Sequence, residues 1–143
     1  MKPTYDCEKI KGILETAISN LFANQPNIFD FTSETGQTEW NLACHYANEV
    51  HKLLPDFDCD TDITKVNLNR KRPDIIFHSR GSHKNNFLVI EVKRNGSEPK
   101  VNSDIRKIKK YWFNNRLCYQ FGAVINIKND KTKDVKVFKN QKR

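Results

Sequence analysis

The sequence predicts an α/β domain: a central mixed sheet flanked by helices. Three observations predict it. Two stretches near the start repeat apolar residues at helical spacing, three later runs are rich in β-branched and aromatic residues, and the order helix, helix, strands, helix, strands suits a layered α/β arrangement. At 143 residues the chain is expected to form one domain over residues 1–143, long enough to bury most of its unfolded surface in a single core.

The first helix is expected over residues 6–23, where Ile10, Ile13, Leu14, Ala17, Ile18, Leu21 and Phe22 share one face. Asn24-Gln25-Pro26-Asn27 breaks it, and a polar connection anchored by Phe29 and Phe31 follows. Thr38 is read as the cap of a second helix with Trp40, Ala43, Tyr46, Ala47, Val50, Leu53 and Leu54 as its apolar stripe, ended by Pro55. Glu39 stands in the first turn, where the helix dipole favours a carboxylate in any case. The acidic alternation Asp56 to Asp62 suggests a short strand whose acids could bind a metal but read rather as exposed edge or loop charges without a catalytic role.

Asp74-Ile75-Ile76-Phe77-His78 reads as a strand with Pro73 allowed at its start, and Phe87 to Lys93 reads as a second, largely buried one. The intervening Ser79 to Asn86 suits a hairpin loop. Alternation puts Glu91 and Lys93 on one face while Leu88, Ile90 and Val92 take the other, and an antiparallel pairing brings Asp74 beside Glu91. Beyond a loop ending at Pro99, Ser103 is read as the cap of a third helix reaching about Asn114, with Ile105, Ile108 and Trp112 as its stripe. Tyr111 and Phe113 either pack on the sheet or stack on bases of an opened strand. Tyr119 to Ile127 then forms an apolar strand, and Val135 to Phe138 a lysine-guarded edge strand.

Two carboxylates held about 4 Å apart repel by ~4 kcal/mol at an effective dielectric near 20, so Asp74 and Glu91 need a cation or a proton between them. Oxygen ligands favour a hard ion such as Mg²⁺, and Lys93 would stand where an ammonium steadies an attacking hydroxide or a charged phosphoryl group. Taken alone, Glu91 and Lys93 fit an exposed ion pair and Pro73-Asp74 an ordinary strand start; together on neighbouring strands they favour a site.

Pro73-Asp74 followed by Glu91-Val92-Lys93 resembles the PD-(D/E)xK motif of the restriction-endonuclease-like nuclease superfamily, and the resemblance covers roughly residues 38–127. It implies the restriction-endonuclease-like form of the mixed sheet and a metal-dependent endonuclease or exonuclease acting on nucleic acid, DNA by preference. Asp74, Glu91 and the backbone carbonyl of Val92 would hold Mg²⁺ or Mn²⁺, Lys93 would orient the attacking water, and the product would carry a 5′-phosphate. A glutamate on the first core helix of such nucleases often points at the metal, which implies a catalytic or ligand role for Glu39. The alternative is a module on the same fold that binds nucleic acid or protein without cutting.

Charge supports the nucleic-acid reading. The net +8 divides into −7 over residues 1–64, from four lysines and eleven acids, and +15 over residues 65–143, from 21 lysines and arginines and six acids. Lys65, Arg70, Lys71 and Arg72 lead into the motif, Arg94 follows it and Lys107 lies on the third helix; all six are candidate phosphate contacts. Cutting both strands of a duplex would call for a homodimer or a second event. The four cysteines lack metal-site spacing and read as reduced thiols, the four histidines read as ordinary side chains, and no signal-peptide or membrane-spanning run is found, so an intracellular (cytoplasmic) protein that does not engage membranes is expected.

Overall fold

The computed structural model describes residues 4–30, 36–61, 73–114 and 117–142. Lys65, Arg70, Lys71 and Arg72 lie outside them. Helices α1 (Cys7–Asn24) and α2 (Gly36–Leu53) precede strands β1 (Asp58–Thr61), β2 (Ile75–His78) and β3 (Leu88–Arg94); α3 (Glu98–Lys107) runs on into a π-helical turn (Ile108–Trp112), and β4 (Phe121–Ile127) and β5 (Lys133–Lys139) complete the chain.

The five strands form one mixed sheet in the order β1-β2-β3-β4-β5. Only the β3–β4 pair is parallel, with α3 as its crossover; the others are antiparallel. Strand alternation sorts the core into two layers. Ile75, Phe77, Leu88, Ile90, Val92, Phe121, Ala123 and Ile125 face α1 and α2, whereas Ile76, Val89 and Val124 face α3 and the π-helical turn. The helices of the first layer are tied by Tyr46, whose hydroxyl donates to the Leu14 carbonyl at 2.9 Å.

Several boundaries differ from those read in the sequence. Asp6 caps α1, its carboxylate accepting from Lys9 N at 2.8 Å, close to the expected start. Helix α2 begins at Gly36, so Thr38 lies within its first turn and is not its cap. Helix α3 begins at Glu98 with Ser97 at the cap position, six residues before Ser103, because Pro99 belongs to the helix: proline's fixed φ and missing N–H suit a first turn. Trp40 does not join the α2 stripe and is 53% exposed. All four cysteines are free, as expected, and no helix among the described residues is long and apolar enough to cross a membrane.

Candidate active site

The β2–β3 register sets Ile75 opposite Ile90, which carries Asp74 to the position beside Glu91 at the end of the sheet. Asp74 Oδ2 accepts a 2.7 Å hydrogen bond from Val92 N. Burial pushes both acids up; for Glu91 the negative charges of Asp74 and Asp104 add to it, while for Asp74 the Val92 N–H works the other way. Each carboxyl is thus harder to ionise here than it would be alone in water.

Lys93 stands two residues beyond Glu91 on the same face, half-covered, with Nζ 3.1 Å from Asp104 Oδ2. Burial works to depress its pKa, but the attraction and hydrogen bonding of Asp104 outweigh it and hold the ammonium charged, above its ordinary range. Asp104 is 4% exposed and also lies 3.9 Å from the Lys107 ammonium. Its place in the site was not read from the sequence. The available signal was an acid between Val101 and Ile108 at the spacing that faces α3 onto the sheet.

The loop after β3 fixes the base of Lys93. Asn126, the register partner of Lys93 on β4, clamps Gly96 at two points: Gly96 N donates to Asn126 Oδ1 and Asn126 Nδ2 donates to Gly96 O, both at 2.9 Å. A Cβ on Gly96 would fall 2.9 Å from Lys93 Cβ and 3.2 Å from its Cγ, so only glycine lets the loop close over the lysine stem.

Glu39 reaches the same end of the sheet from α2, where its Oε2 accepts from Arg94 N at 3.2 Å. Val92 and Arg94 are two apart, so their N–H groups leave β3 on the same side, where β2 has already ended; Asp74 and Glu39 accept them in turn. Glu39 thereby lies near enough to raise Asp74 and Lys93 electrostatically. Among the described residues no group of three His, Cys, Asp or Glu side chains is placed to hold a metal ion, and the contact Glu39 makes is with the Arg94 N–H.

Of the expected phosphate contacts, Lys107 is exposed at the end of α3. Arg94 is not on the surface. Adjacent to Lys93, it must point to the opposite face; the residue is 7% exposed, and its guanidinium lies over the Phe29 ring at 4.3 Å, donating through Nε to Asn129 at 2.9 Å. Phe113 is buried and packs edge-on against Phe138, which assigns it to the core and not to base stacking. A cleft of about 550 Å³ beside the π-helical turn and β5 carries further cations, Lys109, Lys139 and Lys142.

At the other end of β2, His78 Nε2 meets Asp60 Oδ2 at 2.6 Å, and Arg80 grips the same carboxylate through Nε at 3.0 Å and Nη2 at 2.6 Å. Asp60 is thus partly buried and paired, not the free edge charge expected. Compared with models of protein families, with curated proteins and with solved structures, the chain matches none.

Proposed function

We propose that this protein is a metal-dependent nuclease of PD-(D/E)xK type that hydrolyses phosphodiester bonds of nucleic acid, DNA by preference, leaving 5′-phosphate ends. The observation that carries the reading is the β2–β3 register that sets Asp74 beside Glu91 at the end of β2, with Asp74 Oδ2 on Val92 N and the Lys93 ammonium on the same face as Glu91.

The donor set fits a hard cation. Two carboxylates and the Val92 carbonyl offer oxygen alone, and Mg²⁺ is commonly held by one or two carboxylates while keeping several waters. Mn²⁺ fits the same donors. When bound, the ion supplies Lewis-acid polarisation of the phosphoryl group and lowers the pKa of water. A cation needs both acids as carboxylates, and burial favours their neutral forms, so loading is favoured as pH rises. Asp104 beside it favours the charged form of Lys93, and the ammonium would orient water and stabilise charge on the phosphoryl oxygens. Water adds to phosphorus in line and gives up a proton to solvent, the P–O3′ bond breaks, and the departing O3′ takes a proton from solvent, so the net proton count is unchanged.

The test is cleavage of supercoiled plasmid and labelled single strands by the parent, Asp74→Ala and Lys93→Ala proteins in Mg²⁺, Mn²⁺ or EDTA. Cutting is expected only with metal and only from the parent. Retained cutting by a purified, folded variant sinks the assignment. Salt-sensitive binding with no metal dependence and no cutting gives the lead to a binding module.

A further inference from the structure

The first turn of α2 carries a side chain that neither the core nor the proposed chemistry uses. Trp40 is 53% exposed, the one large apolar side chain so placed among the described residues. A single exposed apolar side chain is ordinary on a protein surface; what distinguishes Trp40 is where it stands. It follows Glu39, which touches Arg94 N at the end of β3. Cys44, one helical turn further on, reaches Thr61 at the end of β1, with Sγ 4.0 Å from Oγ1. Trp40 precedes Cys44 by four residues, about 6 Å along the helix axis, so α2 carries its ring past the last residue of β1 at the end of the sheet that holds Asp74 and Glu91. Glu39 and Trp40 differ by about 100° around the helix, which at a side-chain radius near 5–6 Å separates ring and carboxylate by roughly 8 Å. A nucleic-acid strand crosses that gap within about two nucleotides.

Resting on the nuclease reading, we propose that Trp40 is a stacking platform for an unpaired nucleobase beside the carboxyl pair, so that the strand this site takes is single-stranded or locally opened. Indole offers a flat apolar face, and stacking accepts any base because each has a π-face. Bases inside an intact duplex are already stacked on each other and leave no face for the ring. Charge complementarity to the phosphates comes from the half of the chain that contains Asp74, Glu91 and Lys93, which carries +15.

The chain has two tryptophans, and the other, Trp112, is 2% exposed, so Trp40 is its natural fluorescent reporter. The full-length protein is titrated in EDTA with labelled oligothymidylate and with a blunt duplex of equal length, while acrylamide quenching of tryptophan emission is followed. Emission is expected to be quenched in the free protein and shielded by the single strand. Trp40→Ala should weaken single-strand binding roughly ten- to a hundredfold and leave duplex binding unchanged, and Trp40→Phe should recover most of the loss. Emission already shielded in the free protein, with a shift in oligomeric state on Trp40→Ala, overturns the proposal in favour of contact with a second copy. Equal effects on single strand and duplex, or none on either, also overturn it. Because these arms contain no metal, strand stacking without any cutting in Mg²⁺ would fault the nuclease reading alone, and metal-dependent cutting with a neutral Trp40→Ala would fault only this inference.

Discussion

The two ends of β2 treat carboxyl groups in opposite ways. At the His78 end, Asp60 is gripped by Arg80 and by His78, and these hydrogen bonds hold its pKa down to about 2. At the Asp74 end, four residues away on the same face, two carboxyls meet each other, and burial pushes both up. One cluster is satisfied by its own side chains. In the other, burial outweighs what the Val92 N–H and the Lys93 ammonium offer the carboxylates, which leaves room for a proton or an ion from outside. Strongly displaced acids in a partly open position are what a binding or catalytic site needs, whereas the matched set of Asp60, His78 and Arg80 closes an edge of the sheet.

The sharpest way to break this contrast is to remove one charge from each end and read cleavage. Lys93→Met keeps the length of the side chain but removes the ammonium, and should cost about 100- to 1000-fold in rate. Asp60→Ala should leave the rate per folded molecule unchanged, because nothing at the His78 end touches the reacting groups. Folded protein is counted by circular dichroism before each assay. Equal losses in both variants would mean that the two ends form one site.

How much of this could be read from the sequence depended on range. Asp74, Glu91 and Lys93 were legible because alternation along one strand and a single hairpin fix their relation. The burial of Arg94 follows from the same alternation: a residue next to Lys93 must face the other layer, and its charge drew attention away from that parity. Asp104 was hidden because its meeting with Lys93 depends on how α3 lies across the sheet, and the early start of α3 depends on Pro99 counting as a helical residue. The pairing of Asp60 with His78 required the β1–β2 register, set across a long connection between Thr61 and Ile75. Trp40 shares the helical period of the core stripe yet is 53% exposed, which periodicity alone cannot reveal.

The second test concerns stability at the His78 end. Asp60 falls from an ordinary 3.8 to about 2, a difference on the order of 2 kcal/mol. Since the folded pKa is the lower one, this stabilisation is fully present above pH 3.8 and is lost as pH falls towards 2. Asp60→Asn preserves shape but not charge, and should lower unfolding free energy in urea by about 2 kcal/mol at neutral pH. The difference from the parent should shrink on acidification. An unchanged denaturation midpoint at neutral pH would show that Arg80 and His78 gain nothing from the carboxylate.

The Asp74 end should give a smaller effect of opposite sign. Both acids titrate above their ordinary values of 3.8 and 4.5, so the folded state retains protons that the unfolded chain releases. Their contribution is therefore complete at low pH, below the unfolded values, and is lost as pH rises through the elevated folded ones. Glu91→Gln removes one titrating partner and leaves a permanent donor for Asp74; it should raise metal-free stability at neutral pH by about 1 kcal/mol and flatten its decline with pH. Mg²⁺ should stabilise the parent increasingly as pH rises, because the ion binds the ionised carboxylates that burial disfavours. It should do little for Glu91→Gln and should leave the Asp60→Asn deficit untouched. Thermal melts across pH with and without Mg²⁺ read all three at once. A parent that gains nothing from Mg²⁺ at any pH, while Glu91→Gln still gains stability, would mark the Asp74–Glu91 contact as a proton-bridged structural pair and remove the physical reason for placing a metal there.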